Sequence, residues 1–151
     1  MAGECILLVG LPGSGKTTFF QQRFAATHVH ISKDLWSNSV KKGPRQVREL
    51  RAAFNAGRPV VVDNTNPTLA DRSEVIVLAR EFGVRVIGYY FAATTREAIG
   101  RNRGRQGKAR VPDVAIFTTA KRMVVPTREE GFDELYRVTI EADGSFAVGE
   151  I

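Results

Sequence analysis

The chain is poor in cysteine and histidine, which narrows the classes of protein it can belong to. It has one cysteine, Cys5, and two histidines in 151 residues. A single cysteine cannot form a disulfide within the chain, and a reducing, cytoplasmic environment is expected. Cys5 lies within an apolar run, where a buried thiol is expected rather than a reactive one.

Long hydrophobic runs are also missing. No stretch approaches the ~20 consecutive apolar residues that span a bilayer, so no membrane association is expected. The first apolar run, residues 5–9, has no basic leader and continues directly into a glycine-rich segment. It is therefore predicted to be a buried strand rather than a signal peptide.

Acidic residues are fewer than basic ones, and the excess is unevenly distributed. Sixteen Asp and Glu oppose 22 Lys and Arg, which gives a net charge of +6. Five basic residues fall within ten positions: Arg101, Arg103, Arg105, Lys108 and Arg110. Such a cluster favours a polyanionic ligand, either ATP alone or ATP with a nucleic acid. The alternative is a solvated basic surface without a specific ligand.

The glycine-rich segment after the first predicted strand matches the eight-position phosphate-binding loop. It reads Gly10-Leu11-Pro12-Gly13-Ser14-Gly15-Lys16-Thr17. Its context, a strand before and a helix over about residues 17–24, is the one this motif requires. The alternative is an ordinary glycine-rich turn.

Each part of this loop predicts a contact with ATP or GTP. The glycines allow backbone N–H groups to surround the phosphates, and Lys16 reaches the β- and γ-phosphates. Thr17 offers a hydroxyl ligand to Mg²⁺, and Thr18 belongs to the predicted nucleotide-binding set. The positive end of the following helix points at the same anion.

Hydrophobic patterning along the rest of the chain predicts alternating strands and helices within one domain, residues 1–151. Strands are predicted at 28–31, 60–62 and 85–91, with a hairpin of strands 136–140 and 145–148 at the end. Helices are predicted at 45–55, after a break at Gly43-Pro44, and at 69–82, 95–104 and 113–123. The pattern indicates an α/β fold with a parallel sheet, helices on both faces, and ligands at the carboxyl ends of the strands.

Polar residues follow two of these strands. Ser32-Lys33-Asp34 places a carboxylate where it can accept a proton from an attacking hydroxyl; alternatively, Asp34 caps a helix beginning near Leu35. Asp63-Asn64-Thr65-Asn66 follows the next strand. Asp63 is expected to hold an Mg²⁺-bound water or the polar groups of an acceptor. The pocket for this acceptor is expected to be lined by Asn64, Thr65 and Asn66. These residues are also typical of turns and caps.

The arginine-rich segment, residues 101–110, is too charged and too rich in glycine to pack, yet it joins two predicted helices. We expect it to close over the triphosphate as a lid, with guanidinium groups neutralising charge during transfer.

Five other residues, two histidines and three aromatics, lie near these motifs in the sequence. His28 and His30 share one side of a strand, but no third metal ligand with suitable spacing is visible, so packing or surface roles are expected. Trp36 either stacks on an acceptor base or covers the core. Phe19 and Phe20 are expected in the core.

Together these motifs resemble the kinase domain of polynucleotide 5′-hydroxyl kinases. The resemblance covers nearly the whole chain and rests on the phosphate loop and five further elements: Lys33-Asp34, Val62-Asp63-Asn64-Thr65-Asn66-Pro67, Arg101-Asn102-Arg103, Val111-Pro112-Asp113 and Pro126-Thr127-Arg128-Glu129-Glu130-Gly131-Phe132. The loop alone is unspecific, whereas the combination is much narrower.

The resemblance implies specific roles. Asp34 would be the general base on the 5′-hydroxyl, Lys16 and Thr17 would bind phosphates and Mg²⁺, and Asp63 would lie in the acceptor site. Arg105 and Arg101 would clamp the donor phosphates. Phage-type members have an arginine on the acceptor side where this chain has Ser37. The Asp-x-Asp-x-Thr signature of the phosphatase domain fused to many relatives is missing, so a free-standing kinase module is expected.

The sequence thus predicts a kinase that moves the γ-phosphate of ATP or GTP to a hydroxyl, most simply the 5′ end of DNA or RNA. Two alternatives remain open. One is a kinase of a small alcohol such as a nucleoside, sugar or antibiotic, and the other is a nucleotide-binding regulator or toxin-like module.

Overall fold

The computed structural model describes residues 3–36, 41–107 and 110–151 and has an α/β fold. Six strands form one sheet in the order β2-β3-β1-β4-β5-β6. The strands are β1 Glu4–Gly10, β2 Val29–Ile31, β3 Val60–Asp63, β4 Arg85–Phe91, β5 Glu134–Ile140 and β6 Phe146–Glu150.

Within the described residues, five helices connect these strands, and short 3₁₀ turns lie at Lys33–Trp36 and Arg128–Glu130. The helices are α1 Lys16–Arg23, α2 Lys42–Asn55, α3 Leu69–Glu81, α4 Thr95–Arg103 and α5 Asp113–Arg122. The first five strands run parallel, as predicted, and the hairpin of β5 and β6 adds one antiparallel strand at the edge.

Alternating residues of the central strand divide the core between two faces of the sheet. Cys5 and Leu7 of β1 pack in a cluster with residues of α2 and α3. Ile6 and Leu8 pack in a second cluster with Phe19 and Phe20 of α1. Because successive strand residues point to opposite faces, helices cover both sides of the sheet, as the sequence predicted.

The predicted break at Gly43-Pro44 is wrong. α2 begins at Lys42, so Gly43 and Pro44 lie in its first turn. N–H groups in the first turn have no partner within the helix, and the missing N–H of a proline costs nothing there.

Several side chains lie where the sequence placed them. Cys5 is fully buried, and burial raises the pKa of its thiol to about 12. Trp36 belongs to the core and its ring lies under the Arg45 guanidinium, so covering the core is the better of its two interpretations. Among the described residues, no helix has the length and hydropathy to cross a membrane.

Candidate functional site

The loop between β1 and α1 wraps around the ammonium group of its own lysine. Lys16 Nζ donates hydrogen bonds to the carbonyl oxygens of Gly10 and Leu11, at 3.1 and 2.9 Å. Gly13 and Gly15 have φ angles of 81° and 98°, in the left-handed region that favours glycine. The backbone can therefore curl into a nest of N–H groups only with glycines at these positions.

Neighbouring elements hold this loop in place. A Cβ atom on Gly13 would lie 2.6 Å from the carbonyl oxygen of Ala98 in α4, closer than real contacts allow. On the other side of the loop, the Gly10 N–H donates to the carbonyl oxygen of Thr65 at 3.0 Å. The segment after β3 and helix α4 thus fix the shape of the loop from two directions.

Three features of the loop fit an anion such as a triphosphate. Helix α1 has no side-chain cap and no acidic residue in its first turn, so its terminal N–H groups are left to an external acceptor. Ser14 Oγ and Arg101 Nη1 are buried and have no hydrogen-bond partner among the described residues. Buried polar atoms normally have partners, and a phosphate oxygen would supply one for Ser14 in the loop.

The electrostatic surroundings of Lys16 bring together four residues that the sequence singled out. Burial lowers the pKa of Lys16 to about 8, although the charges of Asp63 and Asp34 act to raise it. The Arg105 guanidinium acts to lower the same pKa. Two carboxylates and an arginine from three separate segments are therefore close enough to Lys16 to influence its charge.

A buried carboxylate links the loop to the end of β3. Asp63 Oδ2 accepts a hydrogen bond of 2.9 Å from Thr17 Oγ1 and another of 2.9 Å from His30 Nε2. Asp63 is only 4% exposed, so these donors replace its hydration. Because the Thr17 hydroxyl donates its hydrogen bond to Asp63, its lone pairs are free for a cation. Oxygen ligands of this kind suit Mg²⁺.

Asp34 lies inside the 3₁₀ turn Lys33–Trp36 that follows β2, and its side chain is exposed. The turn begins at Lys33, two residues before the helix start expected near Leu35, so Asp34 lies within it. The hydroxyl of Ser32 accepts from the Asp34 N–H at 3.3 Å. Ser37 lies outside the described residues.

Asn64 ties the turn carrying Asp34 to the rest of the fold. Its Oδ1 accepts from the Lys33 N–H at 2.9 Å, and its Nδ2 donates to Gln46 Oε1 of α2 at 2.8 Å. Gln46 is buried, only 2% exposed, so the amide pair is held firmly. Asn66 is also structural, because its Nδ2 donates to the carbonyl oxygen of Leu8 at 2.8 Å.

A polar cavity of about 210 Å³ lies beside this tether. Asn64, Thr65 and Asn66, which the sequence expects to line the acceptor pocket, all line it. Its other walls combine cationic and acidic side chains with one amide and one proline: Lys33, Gln46, Pro67, Asp71, Glu74 and Arg122.

The arginine-rich segment is closed at its base by one buried residue. Asn102 Nδ2 donates to the Val111 carbonyl oxygen at 2.6 Å, and its Oδ1 accepts from the Val111 N–H at 2.9 Å. Arg103 pairs with Asp113 at 3.1 Å on the surface. Arg101 Nη1 is buried and has no hydrogen-bond partner among the described residues, whereas Lys108 lies outside them.

The sequence predicts only a packing or surface role for His30, names Asn102 only within a motif, and gives no role to Gln46. The signal available for His30 is its place at the carboxyl end of a strand. Its partner Asp63 lies 33 positions later and becomes a neighbour only because β2 pairs with β3.

A glycine-rich loop around a buried lysine, joined by Thr17 to an aspartate at the end of the adjacent strand, defines the class of P-loop nucleotide-binding proteins. The chain belongs to the family described as the AAA domain, which matches residues 5–126.

Two curated relatives are similar over most of this chain. A protein named as a bifunctional polynucleotide phosphatase/kinase of Acanthamoeba polyphaga mimivirus is 32% identical over 94% of this chain and 34% of its own length. The bifunctional polynucleotide phosphatase/kinase of Schizosaccharomyces pombe is 27% identical over 89% and 33%, respectively. The chain therefore spans about a third of the length of the curated relatives it matches.

The fold is shared with kinases of small molecules. The structure of a gluconokinase from Sinorhizobium meliloti 1021 aligns with a TM-score of 0.63 and 17% identity, over 90% of this chain and 82% of that one. The chain thus has the fold of P-loop kinases, and fold similarity alone does not identify the acceptor.

Proposed function

We propose that the protein is a polynucleotide 5′-hydroxyl kinase, which transfers the γ-phosphate of ATP or GTP to the 5′-hydroxyl of DNA or RNA. The observation that carries this proposal is the glycine-rich loop around buried Lys16, joined by Thr17 to Asp63; the charges of Asp34 and Arg105 also act on the pKa of Lys16. A base, a phosphate-binding cation and a charge-neutralising guanidinium are the groups that phosphoryl transfer to an alcohol needs. The two curated relatives support the polynucleotide acceptor.

In this mechanism the nucleotide phosphates lie in the nest of N–H groups between Gly10 and Thr17. Lys16 bonds to oxygens of the β- and γ-phosphates in exchange for its present carbonyl acceptors. Arg101 and Arg105 neutralise charge on the transferring group. Thr17 and Asp63 would hold Mg²⁺, which would neutralise charge on the phosphates.

Asp34 accepts the proton of the attacking hydroxyl while the hydroxyl oxygen forms a bond to the γ-phosphorus. The bond from that phosphorus to the β–γ bridging oxygen breaks, and the nucleoside diphosphate leaves with the electron pair. Asp34 is exposed, which suits the end of a long polymer, whereas a small alcohol would call for a closed pocket over this carboxylate.

The test of this role is Asp34→Asn, which preserves the size of the side chain and removes its charge. We expect transfer to a 5′-hydroxyl oligonucleotide to fall by at least ~100-fold, within the range for positioned bases, with ATP affinity unchanged. Transfer at the wild-type rate by the folded variant would contradict the role of Asp34.

A further inference from the structure

The imidazole of His30 belongs to a small unit built around Asp63. Its Nε2 and the Thr17 hydroxyl both lie 2.9 Å from the same oxygen, Asp63 Oδ2. A carboxylate only accepts hydrogen bonds, so the His30 nitrogen is the donor and carries the proton. The buried carboxylate is thus held by donors from two elements, β2 and α1.

Helix α1 supplies both the hydroxyl of this unit and the surface on which the imidazole rests. The rings of His30 and Phe20 are stacked, with centroids 4.0 Å apart and planes inclined by 17°. Phe20 lies three residues after Thr17, so both project from the same side of α1. Stacking fixes the plane of the imidazole, and the imidazole in turn fixes the carboxylate.

We propose that His30 is a positioning residue for the divalent cation site of the nucleotide. By holding Asp63, it keeps this carboxylate in place to accept the hydrogen bond of the Thr17 hydroxyl, whose lone pair is left for the cation. Groups that orient metal ligands in this way typically contribute ~10–100-fold in metal affinity or activity. The inference rests on the proposed kinase function, because that function requires Mg²⁺ together with the nucleotide.

The other histidine of the same strand region provides a matched control. His28 lies two positions earlier, just before β2, and its Nε2 contacts Glu4 at 2.6 Å. Its ring also contacts the ring of Phe24, the residue that follows α1, with centroids 4.9 Å apart. It therefore makes a carboxylate contact and a ring contact as His30 does, but with Glu4 in place of Asp63.

The experiment measures ATP affinity by calorimetry, with Mg²⁺ and with EDTA, for His30→Phe, His30→Gln and His28→Phe. Phenylalanine keeps the stacking and removes the donor, whereas the glutamine amide restores a donor near the position of Nε2. We expect His30→Phe to weaken binding ~10–100-fold with Mg²⁺ and to leave it unchanged in EDTA. His30→Gln and His28→Phe should bind as the wild type does in both conditions.

An unchanged Mg²⁺ dependence in His30→Phe would overturn the proposal, as would an equal loss in His28→Phe or a loss in EDTA of the same size. Circular dichroism checks folding, and His30→Leu replaces the phenylalanine variant if that one does not fold.

Transfer to a 5′-hydroxyl oligonucleotide is assayed separately with the wild type. A wild type that binds ATP with Mg²⁺ but transfers no phosphate contradicts the proposed function and leaves this inference standing.

Discussion

Arg72 of α3 and Glu130 of the 3₁₀ turn Arg128–Glu130 form a buried, bidentate ion pair. The distances are 2.7 Å from Nε to Oε1 and 3.1 Å from Nη2 to Oε2. Arg72 Nη1 also donates to the carbonyl oxygen of Asn66 at 3.0 Å. Asn66 has a φ of 45°, so the pair supports a strained backbone next to the candidate site.

This geometry predicts the effect of Glu130→Gln on stability. The substitution leaves the fully buried Arg72 charge without its counter-ion, so the free energy of unfolding should fall by about 3–5 kcal/mol. Urea denaturation measures the change. Glu129→Gln, at an exposed neighbouring position, is the control and should alter stability little. Equal stability of the two variants would show that the pair does not support the fold.

Lys16→Met should separate function from stability. Loss of the ammonium should lower phosphate transfer by at least ~100-fold, the typical effect of removing one group that stabilises a transition state. The nucleotide-free variant should be at least as stable as the wild type, because burial disfavours the charged form of Lys16. Normal turnover by the folded variant would exclude Lys16 from the mechanism.

The same substitution has a predictable pH dependence. The folded pKa of about 8 lies below the ordinary value of 10.5, so between these two values the unfolded chain binds more protons than the folded one. Wild-type stability therefore gains from Lys16 as the pH rises through this window. Denaturation at pH 7 and pH 10 should show the stability advantage of Lys16→Met shrinking at the higher pH. A constant difference would contradict the lowered pKa.

Asn64→Ala should damage catalysis without affecting nucleotide binding. It removes the acceptor of the Lys33 N–H and so frees the turn that carries Asp34. A catalytic group displaced by about 1 Å can lose ~100-fold in rate, so kcat should fall while the KM for ATP stays constant. Asn64→Asp retains that acceptor, and the Gln46 amide can turn to donate, so it should be less impaired. If both variants lose activity equally, the hydrogen bond between the Lys33 N–H and residue 64 is not the cause of the loss.

Arg105→Ala tests the proposed lid. If Arg105 serves the shared phosphoryl group, transfer should fall by a similar factor, on the order of 100-fold, for every acceptor. If it holds an oligonucleotide backbone, the loss should grow with acceptor length and shrink at high salt. Arg103→Ala is the matched control, because Arg103 is exposed and pairs with Asp113. If Arg105→Ala transfers phosphate at the rate of the control, Arg105 has no role in transfer and the basic cluster is an ordinary solvated surface.

The phosphate loop could be predicted because its eight residues are contiguous and its shape depends on backbone freedom at Gly13 and Gly15. The strands could be predicted from apolar runs such as Val60 to Val62. The start of α2 could not, because a proline in the first turn of a helix looks the same in sequence as a proline that precedes it.

Contacts distant in sequence were beyond such reasoning. The pairing of His30 with Asp63 depends on strand order, and the sharing of Asn64 between Lys33 and Gln46 depends on where α2 packs. Asn64 and Thr65 were expected at the acceptor pocket, and both line the cavity there. Their contact with an acceptor and the roles of Arg101 and Arg105 stay predictions.

Transfer of labelled γ-phosphate from ATP to a panel of hydroxyl acceptors tests the central claim most directly. The panel pairs 5′-hydroxyl DNA and RNA oligonucleotides with 3′-mononucleotides, nucleosides, gluconate and other sugars, each with Mg²⁺ and with the Asp34→Asn variant as blank. The account predicts label on the 5′ ends of oligonucleotides and little on nucleosides or sugars. Label on a sugar or nucleoside with none on oligonucleotides would contradict it, as would ATP hydrolysis without transfer to any acceptor.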